Sequence, residues 1–241
     1  MKGGGKSVKL ADHKLLTLLL VMVVAAAISA ALQMRPPRRE IVEGTPVATA
    51  ILNDPGTPAF GPRGADVTVV AFSDYDCAAC KQGEAAFDKA IAADGHVRVM
   101  YKDWAALGEA SRVGARVALA ADRQGRYLPV HDALMRARVR PDADNVRAVA
   151  TAAGADWPRL QADLARYGPA IDAILARHAF QAWSLGLQGP PGYLVGPYLV
   201  RGALSAAELR RLIVRARRRQ ASQCGRQAQP PCATGDTRRS I

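Results

Sequence analysis

The pattern of polar and apolar positions breaks sharply near the start of the chain. Residues 1–14 are basic, with Lys2, Lys6, Lys9 and Lys14. Leu15 to Met34 then holds no charged residue, and only Thr17, Ser29 and Gln33 are polar. A helix needs about 20 apolar residues to cross a bilayer, and a soluble helix of that length would show a charged face. Residues 15–34 therefore read as a transmembrane anchor or a signal peptide. The small residues around Ser29-Ala30-Ala31 suit cleavage, but the full spanning length favours the anchor. The lysines before the span, set against Arg35, Arg38 and Arg39 after it, orient it only weakly. Residues 35–63 read as a linker, because Pro36, Pro37, Pro46, Pro55, Pro58 and Pro62 oppose a long helix or a central strand. Within it, Ile41 to Ile51 suits an edge strand.

A folded domain is expected over residues 64–220. Val67 to Phe72 is an apolar run rich in β-branched residues and predicts a buried strand. Lys81 to Ala93 places Ala85, Phe87, Ala90 and Ile91 on one helical side. Val97 to Lys102 alternates, which predicts a second strand, parallel to the first across that helix. Helical periods then fill a block over 107–186: Glu109 to Gln124, Tyr127 to Arg138, Asn145 to Ala153, a segment with Trp157, Leu160 and Leu164, and a last one with Ile171, Ile174, Leu175 and Trp183. Two short apolar runs on either side of Gly196-Pro197 predict a hairpin. Ser205-Ala206-Ala207-Glu208 is a capping box, opening a helix with Leu209, Leu212, Ile213 and Ala216 inside. The Arg run at 215–219 reads as its solvated end. Residues 221–241 read as a polar tail, with order expected to fade from Arg217.

Composition narrows the function classes. The chain has 241 residues, 49% of them hydrophobic but only 5% aromatic, so its core rests on Ala, Val and Leu. The net charge of +12 would suit nucleic acid or anionic lipid. No nucleic-acid motif or interleaved aromatic pattern accompanies it, so no nucleic-acid partner is expected. Four cysteines in closely spaced pairs fit an oxidising compartment.

The chemistry concentrates in Cys77-Ala78-Ala79-Cys80, at the turn between the first strand and its helix. Unpaired backbone N–H groups and the positive end of the dipole favour an anion there, and the thiolate is the form that attacks disulfides. Cys80 is close enough to attack a mixed disulfide formed at Cys77. A zinc site would want a second ligand pair at similar spacing. The remaining cysteines, Cys224 and Cys232, lie in the polar tail, where they close a small loop as a disulfide or exchange with the Cys77–Cys80 pair. A c-type haem site needs His after the second Cys, and Lys81 stands there. Thiol exchange calls for no metal and no bound cofactor.

Four segments together resemble the DsbA-like thiol–disulfide oxidoreductases of bacterial envelopes. They are Phe72-Ser73-Asp74-Tyr75-Asp76-Cys77-Ala78-Ala79-Cys80, Tyr101-Lys102-Asp103-Trp104, Gln124-Gly125-Arg126-Tyr127 with His131-Asp132-Ala133-Leu134, and Gly189-Pro190-Pro191-Gly192-Tyr193-Leu194-Val195-Gly196. The resemblance implies an α/β thioredoxin-like fold with an inserted helical domain. It implies Cys77 as nucleophile, Cys80 as resolving thiol, Pro191 as a cis-proline facing the pair, and Pro190 as backbone open to a substrate peptide. The family usually has a Thr or Val-type residue where this chain has Pro190. Strongly oxidising members carry a His between the cysteines, where this chain has only Ala78-Ala79. A lowered Cys77 pKa is still expected, less lowered than in those members, with oxidase, reductase and isomerase directions all open. Lys81 is read as an offset to Asp74 and Asp76. Asp103, Trp104 and His131 are read as structural, and His96 and His178 as surface or helix-face residues.

The implied protein is tethered to the bacterial inner membrane by one span, with its catalytic domain in the periplasm. It acts on cysteine-containing exported proteins and is served by a membrane or envelope redox partner. The alternative is a thioredoxin-fold binding module that holds a partner or copper without redox turnover. An inert Cys77–Cys80 disulfide is a third reading.

Overall fold

A computed structural model describes residues 16–26, 29 and 39–224. The chain divides into two compact units, Met1–Pro37 and Arg38–Ile241. In the first, residues 16–26 form helix α1, with Leu16, Leu20 and Met22 exposed. Among the described residues no helix is long and apolar enough to cross a membrane. The remainder of the 15–34 segment, apart from Ser29, lies outside the described residues.

The second unit is a six-stranded mixed sheet in the order β1-β6-β5-β3-β4-β2. Within it, β3 (Val67–Ser73) and β4 (Val97–Asp103) are paired in parallel from Val67↔Val97 to Ser73↔Asp103. Helix α3 (Ala78–Asp94) connects them. It stops at Gly95, whose φ of 73° is the left-handed conformation glycine adopts freely. Hairpin strands β5 (Gly192–Val195) and β6 (Tyr198–Arg201) add to β3 antiparallel, joined through Gly196 at φ 53°.

Both faces of the central strands are covered. Val67, Val69 and Ala71 face α3, the helical insert and α8 (Ala206–Cys224), while Val70 and Phe72 meet Ile51, Ala182 and Leu187. Burial on two sides explains why β4 departs from the alternation expected of it. Only Arg98 is exposed, and Lys102 is fully buried.

The insert comprises α4 (Glu109–Asp122), α5 (Tyr127–Arg136), α6 (Ala143–Ala152) and α7 (Trp157–Ser184). The two segments expected around Leu160 and Ile174 are one helix of 28 residues that runs through Pro169. Proline removes one main-chain bond there. Neighbouring Gly168 lets α4 come close, and Arg116 of α4 donates to both carboxylate oxygens of Asp172, at 2.6 and 2.5 Å. This staple ties α7 to α4 just after the proline.

Two further expectations are corrected. The stretch 35–63 is not simply a linker, and the edge strand expected over Ile41 to Ile51 is confined to β1 (Arg39–Ile41): α2 (Pro46–Leu52), started by Thr45 and Pro46, takes the rest, and β2 (Ala59–Phe60) follows. β1 and β2 are the two sheet edges, and α2 buries Ile51. The segment is also fixed by Asp54, which sits beside the Lys102 ammonium at 2.6 Å and the Arg177 guanidinium at 2.9 Å. Order also does not fade at Arg217, since α8 continues to Cys224. Arg217 pairs with Asp66 and Asp94, and Arg219 with Glu43, so these two members of the Arg run are ion-paired rather than merely solvated. The capping box forms as expected: Glu208 N–H donates to Ser205 Oγ, and Ser205 N–H to Glu208 Oε2. The pairing of Cys224 with Cys232 lies outside the described residues.

Candidate active site

The C-terminal end of β3 runs into a turn that Asp74 organises. Its Oδ1 accepts the Asp76 N–H at 2.7 Å, and its Oδ2 accepts the N–H groups of Ala106 and Leu107 at 2.8 and 3.1 Å. Its backbone carbonyl accepts the Cys77 N–H at 3.2 Å. The strand end, the loop after β4 and the start of α3 are thereby tied together.

Cys77 is the N-cap of α3. It has extended dihedrals, and its Sγ accepts the Cys80 N–H at 3.2 Å, the place an Asp or Ser oxygen takes in an ordinary cap. Both cysteines are free thiols. The hydrogen bond from the Cys80 thiol lowers the Cys77 pKa to about 7, burial opposes this, and the N–H groups of Cys80 and Ala79 add to the lowering. Cys80 moves the other way, because the neighbouring Cys77 sulfur and burial both resist a second anion. One sulfur is thus poised to ionise and the other to keep its proton. Cys77 is 5% and Cys80 2% exposed, and Ala78 and Ala79 between them are open to solvent.

Across from the pair, the Pro190–Pro191 bond is cis. The Cys77 thiol faces the Pro190 carbonyl at 3.7 Å, and the Pro191 carbonyl accepts the Gly202 N–H from the hairpin. The structure therefore brings Cys77, Cys80, Pro190 and Pro191 together. Pro190 presents a carbonyl without an N–H, so any peptide alongside it can donate to that residue but not accept from it.

Asp103 and His131 are buried beneath this turn. The hydroxyls of Tyr75 and Tyr127 donate to Asp103 Oδ1 at 2.8 and 2.9 Å. Tyr75 Oη also lies 2.8 Å from His131 Nδ1, and His131 Nε2 lies 3.1 Å from Glu84 Oε1. Burial pushes Asp103 up to about 6, and its Oδ2 has no partner. Trp104 is also buried, packed edge-on against Trp183 with ring centroids 5.2 Å apart. His178, expected as a surface or helix-face residue, lies on α7 but faces inward and is fully buried, its pKa pushed down to about 3 by burial and the Lys102 charge.

Glu84, His131 and Asp132 are the one group among the described residues with metal-ligand spacing, their donor atoms lying within 4.8 Å of one another. Both ring nitrogens of His131 already face Tyr75 and Glu84, so the group is first a hydrogen-bond network.

Two contacts beside the cysteine pair carry no signal in the sequence, and both come from the segment between α5 and α6. Lys81 feels the charges of Asp76 and Asp74 as expected, but its ammonium donates to the carbonyls of Ala137 and Val139 at 2.8 and 3.2 Å. The cation bonded to Asp76 is Arg140, at 2.8 Å. A separation of 64 positions leaves no local signal for that pair.

A sequence model of the thioredoxin family matches residues 53–215. A thioredoxin-like oxidoreductase from Silicibacter pomeroyi is 37% identical, covering 70% of this chain and 96% of its own, with a TM-score of 0.67. A periplasmic thioredoxin-like protein from Salmonella enterica serovar Typhimurium is 26% identical over 74% of this chain and 99% of its own, with a TM-score of 0.62. The thiol–disulfide exchange protein α-DsbA2 from Wolbachia pipientis is 23% identical over 69% of this chain and 90% of its own and shares the fold at a TM-score of 0.66. No curated protein matches the chain. With a family match across most of the domain and the cysteine pair capping the first long helix of the sheet, the chain belongs to the thioredoxin family and has the fold of its DsbA-like thiol–disulfide exchange proteins.

Proposed function

We propose that this protein is a thiol–disulfide oxidoreductase of the bacterial envelope that makes, breaks or reshuffles disulfides in exported proteins. The observation that carries this is the division of labour between the sulfurs: Cys77, capping α3, is lowered to about 7 while Cys80 is raised. In the oxidising direction a substrate thiolate attacks the Cys77 sulfur of the Cys77–Cys80 disulfide, and Cys80 leaves and takes a proton. A second substrate thiolate then attacks the mixed disulfide at the substrate's sulfur and releases Cys77 as thiolate. Two electrons pass to the protein, and an envelope redox partner removes them. Reduction runs the same steps backwards, with Cys80 resolving the mixed disulfide. Pro190 and Pro191 border the sulfur and serve as the substrate-facing backbone.

Residues 15–34 tether the domain to the inner membrane in this reading, with residues 38–241 in the periplasm. Their uncharged sequence and the periplasmic location of the Salmonella relative support it. Cys77→Ser should abolish exchange in an insulin-reduction assay and in refolding of a reduced disulfide protein. Full activity in that variant refutes the assignment.

A further inference from the structure

We propose that Arg140, carried by the helical insert, is a positioning residue for the thiol chemistry that sets the charge beside Cys77 through Asp76. The inference rests on the exchange function proposed above. Arg140 Nε–H donates to Asp76 Oδ2 at 3.2 Å and to Oδ1 at 3.4 Å, and Nη2–H donates to Oδ2 at 2.8 Å. Asp76 is the residue immediately before Cys77, with a carboxylate only 17% exposed. Left alone, a carboxylate at that place disfavours a thiolate next door.

The groups around the sulfur are few. The turn supplies Asp74 and Asp76, α3 supplies Cys80 and Lys81, β5 supplies Tyr193, and the insert supplies Arg140. Asp74 is held by three backbone N–H groups while its charge opposes the Cys77 thiolate, and the Lys81 ammonium is held by the Ala137 and Val139 carbonyls. Arg140 is therefore the side-chain cation hydrogen-bonded to a carboxylate of this turn. It is delivered by a segment that is itself pinned. Lys81 grips residues 137 and 139, and Pro141 lies where a side chain on Gly114 would reach it at 2.9 Å, with Tyr75 at 3.2 Å. Tyr75, Gly114 and Pro141 pack as one layer, which fixes where Arg140 emerges.

The test is the Cys77 ionisation midpoint, read from thiolate absorbance at 240 nm in the reduced full chain, alongside the same reading for Asp76→Asn and for the double variant. Arg140→Ala should raise the midpoint by roughly half a unit, as expected for baring a nearby carboxylate. The rise should shrink in high salt. Asp76→Asn should lower the midpoint, and adding Arg140→Ala to it should change nothing further. An unchanged midpoint in Arg140→Ala overturns the proposal, as does a rise that persists in the Asp76→Asn background. These readings need no turnover, so they fail or succeed apart from the insulin-reduction test of the exchange function.

Discussion

Removing Asp54 should cost far more stability than removing its partner Lys102, although both break the same ion pair. The Lys102 ammonium is completely buried and has two hydrogen-bond acceptors, Asp54 Oδ2 at 2.6 Å and Thr57 Oγ1 at 2.5 Å. Asp54→Ala strands that cation with a hydroxyl alone. An uncompensated buried charge costs about 3–5 kcal/mol. Asp54 is better supplied. It also accepts from Arg177 Nε at 2.9 and 3.0 Å, Gln181 Nε2 at 3.2 Å and the Gly56 N–H at 3.3 Å. Lys102→Met leaves those bonds in place, removes the desolvated ammonium and fills its channel with an apolar chain of similar length. The loss should be about 1–2 kcal/mol, near that of one charge-assisted hydrogen bond.

Urea unfolding at pH 7 checks the asymmetry. With a slope of about 2 kcal/mol per molar, Asp54→Ala should move the midpoint down by roughly 2 M and Lys102→Met by less than 1 M. The gap between wild type and Asp54→Ala also has a defined pH window. Burial pushes the Asp54 carboxyl up, but Arg177 and Lys102 more than offset it and hold it below the usual carboxylate range. Its contribution is therefore present above pH ~4 and lost as the solution is acidified below that. Equal losses in the two variants, or a larger one in Lys102→Met, refute the reasoning.

The thiolate of wild-type Cys77 should titrate near pH 7 by absorbance at 240 nm, and Cys80→Ala should raise that midpoint by removing the largest stabilising contact; an ordinary thiol midpoint in both proteins counts against the capped geometry. Asp103, raised by burial to about 6 in the folded chain, binds its proton more tightly than in the unfolded one, so its contribution falls as pH rises from about 4 to about 6, by up to roughly 3 kcal/mol. Asp103→Asn should remove that fall, seen as a wild-type-minus-variant stability difference that declines across the window, and a flat difference refutes it. Gly114→Ala should destabilise although alanine is the better helix former by about 1 kcal/mol, because its Cβ would meet Pro141 at 2.9 Å and Tyr75 at 3.2 Å; a raised melting temperature would show that this layer gives way.

What was legible in the sequence was local. The β3 run, the cysteine pair, the hairpin turn and the Ser205–Glu208 box each carry their signal within about ten residues, and each forms. The segment 39–60 was not legible, because its order comes from distant partners: β1 pairs β6, β2 pairs β4, and Asp54 is held by Lys102 and Arg177. Its prolines, which argue against regular structure, stand at the first turn of α2 and outside the strands. Lys102 misleads for a related reason. In an alternating strand a lysine marks the wet face, yet here both faces are covered and the charge is answered by a carboxylate from the edge segment.

The same division between near and far applies to the site. The anion at Cys77 is stabilised by atoms of its own turn, the Cys80 and Ala79 N–H groups and the Cys80 thiol. A Cys-x-x-Cys at the start of a helix supplies these from its own backbone and second thiol, so the motif in that place marks Cys77 as the sulfur poised to ionise. The charges around it are held from elsewhere. Asp74 is locked by the loop after β4, Lys81 by residues 137 and 139, and Asp76 by Arg140. With Ala78 and Ala79 offering no side-chain donor, Cys80 supplies the one side chain inside the motif that acts on the thiolate. The adjustable contacts are then those made by the segment between α5 and α6. A chain with this same turn and a different segment there should keep a nucleophilic Cys77 but change how readily it ionises. The helical insert would accordingly act on the couple's potential as well as on the shape of the surface beside it.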